Sequence, residues 1–149
     1  TAAELHDRLS EIGAELLVKT ISELEKGAIV PQKQDDSLSN YAPVLTKELC
    51  AIDFSKTAQE IHNQIRGLSD WPCATAVLGG KRIKIYKSEI ISNEEAHAPL
   101  GTITDEKTFA VSCGKGLIRI TELQAEGGKR MKAADFLRGN PIERNSVFE

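Results

Sequence analysis

Residues 74–91 read ATAVLGGKRIKIYKSEII, and the period of this stretch decides the fold. Ala74 to Leu78 is a short apolar run, Gly79-Gly80 interrupts it, and a second run follows from Arg82 to Ile91. Paired glycines tolerate the positive φ angles of a tight hairpin turn, so the two runs are predicted to fold back on each other as antiparallel strands. In the second run Ile83, Ile85 and Tyr86 alternate with Arg82, Lys84 and Lys87, which sends one face to a core and the other to water. Further strands fit Gly101 to Thr104, Thr108 to Cys113 and Leu117 to Leu123, with turns at Asp105-Glu106 and Gly114-Lys115-Gly116. A short helix is predicted from about Ala133 to Leu137, stopped by Gly139. Five or so short strands with flanking helices predict a mainly β fold, a small antiparallel OB-like barrel, although a sandwich would leave a similar trace.

Upstream the period lengthens. Thr57-Ala58-Gln59-Glu60 has the spacing of a capping box, and Ile61, Ile65 and Leu68 follow on one helical face until Trp71-Pro72 ends it. Pro31 to about Leu49 is rich in Gln, Asp, Ser, Asn and Pro and reads as a linker. Before it, Thr1 to Glu4 reads as another capping box, and Leu5, Leu9, Ile12, Leu16, Ile21 and Leu24 paint one apolar stripe before Gly27. The predicted division is a long amphipathic helix over 1–30, a linker over 31–50 and a β domain over 51–149. Charge follows this division. Residues 1–56 carry six basic and ten acidic side chains (net −4), whereas 57–149 carry thirteen and twelve (net +1).

The 149 residues are enough for a proper core without metal or disulfide staples. Three scattered cysteines, Cys50, Cys73 and Cys113, make no disulfide framework and point to a reducing, cytoplasmic compartment. No apolar run approaches the ~18 residues of a membrane span.

Little of the sequence points to catalysis. His6, His62 and His97 share no metal-site spacing with each other or with the cysteines, and are read as structural. Asp35-Asp36 reads as a pair of solvated loop acids, Gly114-Lys115-Gly116 as a hairpin turn too short to cradle phosphate, and Trp71 as a plug in the core. The feature that stands out is electrostatic. Lys81, Arg82, Lys84 and Lys87 crowd one strand without an acid among them, and Lys129, Arg130 and Lys132 follow a glycine pair. A face presenting all seven would attract a phosphate backbone through counterion release, without reading sequence.

Several strings together resemble the C-terminal half of the methionyl-tRNA formyltransferase family. They are Leu5–Leu9 with Gly13–Leu17, Gln34–Leu38 with Tyr41-Ala42-Pro43, Ile52–Ser55, Ile61–Leu68, Trp71-Pro72, Gly80–Ile85, Pro99–Ile103 and Gly127–Gly139. They run in family order over nearly the whole chain. Phe54 stands where the family commonly has tryptophan, and Lys132 where a serine is usual.

The resemblance implies an enzyme that transfers a formyl group from 10-formyltetrahydrofolate to the methionyl amino group of initiator tRNA. It also implies that residues 1–30 are the last helix of a catalytic domain whose Asn, His and Asp constellation lies outside this sequence. His97 lacks the context of the family's catalytic histidine, so no catalytic residue is expected here and no cofactor of this part, and the fragment alone is expected to be inactive. The expected partners are tRNA and the catalytic domain in cis, with no membrane and no DNA. Relatives acting on sugar nucleotides or on folate share this architecture and use the C-terminal domain as a scaffold or lid, which is the alternative reading.

Overall fold

The computed structural model describes residues 1–95 and 97–149. Its chain forms two units, residues 3–45 and residues 46–149 with 1–2. The first holds a helix, α1 (Ala2–Glu25), of which no residue is buried. Leu5, Leu9, Ile12, Leu16, Ile21 and Leu24 are each about half exposed, as the apolar stripe of the sequence requires of a helix taken by itself. A single 3₁₀ turn follows at Asp36–Leu38, where the Asp35 carboxylate accepts the Ser37 amide at 3.0 Å. Asp35 is therefore a cap, and its pKa is held below the usual carboxylate value by the Ser37 hydroxyl and amide.

The second unit opens with a 3₁₀ turn at Lys47–Cys50 and α2 (Ala58–Leu68). The predicted capping box is present: Thr57 Oγ1 accepts the Glu60 amide, and a Glu60 carboxylate oxygen accepts the Thr57 amide at 2.9 Å. Ile61, Ile65 and Leu68 are buried on one face. The strands are β1 (Ala74–Leu78), β2 (Lys81–Ser92), β3 (Ile103–Asp105), β4 (Ala110–Ser112), β5 (Leu117–Ala125) and β6 (Met131–Lys132), and α3 (Ala133–Gly139) follows. The Gly79-Gly80 hairpin forms as read, with φ of 56° and 72° at the two glycines.

All pairings between these strands are antiparallel, in the order β1-β2-β5-β4-β3, with β6 beside β5. Strand pairing does not close this sheet into a barrel. Single bridges span the gap instead. The Phe148 amide donates to the Gly101 carbonyl and the Glu149 amide to the Val77 carbonyl, both at 2.9 Å, so residues 147–149 touch the edges at both β1 and the start of β3.

One face of the sheet carries the core. Phe54, Phe148, Phe109 and Phe136 form a chain of stacked rings with centroid separations of 5.3, 5.9 and 6.4 Å, among Ile61, Ile65, Ile85, Ile118 and Leu123. The turn before β5 is pressed against the segment before α2: the Gly114 amide donates to the Phe54 and Lys56 carbonyls at 2.8 and 2.9 Å, and a Cβ on Gly114 would lie 1.9 Å from the Ser55 carbonyl oxygen.

Trp71 departs from the sequence reading. It is 80% exposed and plugs nothing. The Cys73 amide bonds the Leu68 carbonyl at 2.9 Å, so Leu68 and Cys73 occupy the core at either end of a tight turn, and Asp70 and Trp71 between them face outward while Ser69 stays buried.

Candidate nucleic-acid interface

The seven predicted basic residues lie on or beside β2, β5 and β6. Lys81, Arg82, Lys84 and Lys87 are exposed on β2, opposite the buried Ile83 and Ile85. Lys129 and Arg130 lie in the β5–β6 turn, and Lys132 pairs across to Glu122.

The structure divides this set. Arg82 and Lys84 line a shallow pocket of about 250 Å³ with Gln124, Ala125, Glu126 and Gly127. Here the backbone of the β5–β6 turn meets two cations, and Glu126 supplies an acid. Lys87 and Lys132 both pair with Glu122, one from each side of β5, which places a carboxylate between them. Lys132 also lines a larger groove of about 430 Å³ with Lys107, Thr108, Arg119, Thr121 and Glu89.

Arg130 is held internally. Its Nε donates to Glu122 Oε1 and an Nη to Asp70 Oδ1, each at 2.6 Å, while its guanidinium lies 4.2 Å from the Tyr86 ring centroid. The Glu122 carboxylate and then Asp70 raise its pKa further. Two carboxylates hold this one cation, so it fixes the β5–β6 turn against the α2–β1 connection and leaves the exposed Lys129 as the turn's cation outside the clamp.

Tyr86 takes part because β2 is irregular. The register with β5 shifts between Ile85 and Lys87, so Tyr86 is the extra residue of a bulge, and its hydroxyl donates to Gln124 Oε1 at 2.8 Å. Burial pushes the Tyr86 phenol up, which keeps it a neutral donor. The sequence carried no signal for the Asp70–Arg130–Glu122 clamp, which joins residues 60 positions apart. The sequence also carried no sign that Lys107, in the β3–β4 turn, and Arg119, paired with Glu89, share a groove with Lys132, because neighbours across elements leave no trace in local spacing.

Among the described residues, no group of three or more His, Cys, Asp or Glu side chains converges as metal ligands would. His62 Nδ1 is hydrogen-bonded to Ser88 Oγ at 2.9 Å, and His6 Nδ1 lies 3.2 Å from the neighbouring Asp7 carboxylate. The three cysteines are buried free thiols, and burial pushes Cys113 up to about 11, away from thiolate chemistry. Among the described residues, no helix is long and apolar enough to cross a membrane.

Residues 44–141 match the family described as formyl transferase, C-terminal domain. The methionyl-tRNA formyltransferase of Trichlorobacter lovleyi is 53% identical over 140 residues, covering 93% of this chain and 43% of that protein. That of Clostridium novyi is 45% identical over 151 residues, covering all of this chain and 48% of that protein. The chain thus spans somewhat under half the length of these curated relatives. Among solved structures, a substituted variant of HypX from Aquifex aeolicus superimposes with a TM-score of 0.64 over 89% of this chain and 24% of its own, at 14% identity. HypX from the same organism in complex with tetrahydrofolic acid gives 0.60 over 91% and 26%, at 15% identity. At such identity the likeness concerns the fold, whereas the sequence match carries the assignment: this chain belongs to the formyl transferase C-terminal domain family.

Proposed function

We propose that this chain is the C-terminal part of a cytoplasmic methionyl-tRNA formyltransferase and that its β domain holds tRNA by the sugar-phosphate backbone. The observation that carries the reading is the open cationic surface of β2 and the β5–β6 turn. Arg82 and Lys84 line one pocket, Lys81 and Lys87 are exposed on the same strand, Lys129 lies in the adjoining turn, and Lys132 lines a second groove. The names of the relatives fit this surface, since their substrate is a polyanion.

In this proposal residues 1–30 are the last helix of the catalytic domain, 31–50 the linker and 51–149 an OB-like domain opened at the seam bridged by 147–149. Transfer of the formyl group from 10-formyltetrahydrofolate to the methionyl amine takes place on the catalytic domain, outside these residues. The β domain acts by position. Its phosphate contacts orient the tRNA without specifying it, and a second weak grip on the same macromolecule raises the effective concentration of the acceptor end at the catalytic domain. Arg130 serves by fixing the turn that carries Lys129.

Fluorescence anisotropy of this chain with initiator tRNA, elongator tRNA and a sugar nucleotide tests the proposal. Both tRNAs are expected to bind equally, with affinity falling at least about tenfold between roughly 50 and 200 mM salt. Lys84→Ala should lower the salt slope by about one. Salt-independent binding, or binding of the sugar nucleotide alone, would overturn the reading in favour of a scaffold role in a relative acting on small molecules.

A further inference from the structure

Trp71 is the chain's only tryptophan and the largest side chain left in water on the β domain. A tryptophan offers the greatest apolar area of any residue, so folding that leaves it 80% exposed forgoes a large burial term. The turn that carries it is fixed on both sides. Before it, the Asp70 carboxylate accepts a 2.6 Å hydrogen bond from Arg130. After it, the Cys73 amide bonds the Leu68 carbonyl, and the Cys73 thiol reaches the Ile85 carbonyl on β2 at 3.4 Å. The indole is thus mounted on an anchored turn rather than on a free loop.

Its surroundings are charged and polar, with a cationic strand beyond them. Arg130, bonded to the preceding residue, lies over Tyr86, and Tyr86 bonds Gln124, which lines the pocket with Arg82 and Lys84. The acid next to the indole, Asp70, shares Arg130 with Glu122, so the positive charge of this surface comes from Arg82, Lys84 and Lys129. An aromatic plane held outward beside a positively charged surface has the composition of a site for single-stranded nucleic acid, where cations follow the backbone and a ring stacks on a base.

We propose that Trp71 is a stacking platform for an unpaired nucleobase of the RNA whose backbone lies across Arg82, Lys84 and Lys129. This rests on the backbone-holding role proposed above and adds to it a preference for RNA that displays unstacked bases. Every base has a π face, so the platform favours loops over duplex without reading sequence.

The single tryptophan makes its own emission the readout. The 149-residue chain is titrated with tRNA and, separately, with inorganic polyphosphate, a polyanion without bases. Trp71 emission and the anisotropy of labelled tRNA are followed together, polyphosphate binding being read by displacement. The expected result is that tRNA quenches Trp71 by about half or more while polyphosphate displaces tRNA without quenching. Trp71→Ala should bind tRNA about fivefold or more weakly at an unchanged salt slope, and Trp71→Phe should stay within about twofold of the parent. Unaltered melting of both variants would separate this effect from unfolding. Salt-sensitive tRNA binding with unquenched Trp71 and undiminished affinity of Trp71→Ala overturns the platform, assigns the indole to a protein surface and leaves the backbone role standing. Absence of tRNA binding at low salt overturns both.

Discussion

His62 shows how a single side chain ties stability to pH. It is half-buried on α2, hydrogen-bonded to Ser88 of β2, and burial and then the charge of Arg66 lower its pKa below the ordinary histidine value of 6.5. The folded chain therefore binds this proton less readily than the unfolded chain. The contribution is fully present above pH 6.5 and is lost as pH falls through that value toward the lower folded one. Thermal melts between about pH 7.5 and 5.5 should show the melting temperature falling toward acid, and His62→Gln should flatten that decline. An equal decline in the variant would place the pH dependence on other groups. Residue identity alone made His62 legible as structural, because no metal-site spacing accompanied it. It could not reveal Ser88 as the partner, since that contact depends on α2 crossing β2. Trp71 misled for a related reason: hydrophobicity predicts burial, but the buried residues of this stretch are Leu68, Ser69, Cys73 and Ala74.

Among the elements, the helices and the β1–β2 hairpin were the most legible, because their signals are local. The Thr57–Glu60 capping box, the Gly79-Gly80 turn and the alternation of Ile83 and Ile85 each lie within a few residues. The bulge at Tyr86 was not legible, since its register is set by β5, more than thirty positions away. β6 is only two residues long and has no period of its own to read. The turn between β4 and β5 illustrates a different constraint. Gly114 reads as an ordinary hairpin glycine, yet it is the point at which that turn is pressed onto the backbone before α2. Gly114→Ala would drive a methyl group into the Ser55 carbonyl, and neither backbone segment can yield without losing the bonds to Phe54 and Lys56. Chemical denaturation should show a loss of about 2–3 kcal/mol or more. A loss below about 0.5 kcal/mol would mean that the two segments separate freely.

For the whole molecule, the sheet is completed by backbone far from the strands in sequence. Residues 145–149 place Phe148 on the stack of Phe54 and Phe109 and bond backbone at Gly101, Ile103 and Val77. Isolated bridges of this kind carry no periodicity, so this seam was invisible in a sequence that otherwise announced a small β domain. Removing residues 145–149 should cost about 3 kcal/mol or more, chiefly from Phe148, and lower the melting temperature by over about 10 °C. A truncated chain melting within about 2 °C of the parent would show that the seam contributes no stability. The candidate interface was legible as a density of lysine and arginine. Its internal division was not, because the carboxylates of Glu122 and Asp70 enter from other strands and turns.

The same seam has a meaning for solubility. A sheet with one bare edge can pair once and stops at a dimer, whereas a sheet bare at both edges can add copies at each end indefinitely. Because residues 147–149 reach the edges at β1 and before β3 together, one proteolytic cut ahead of Asn145 loosens both. Five residues thereby guard two edges at once, and after such a cut only the Ala51–Thr75 bridge, among the described residues, still covers part of β1.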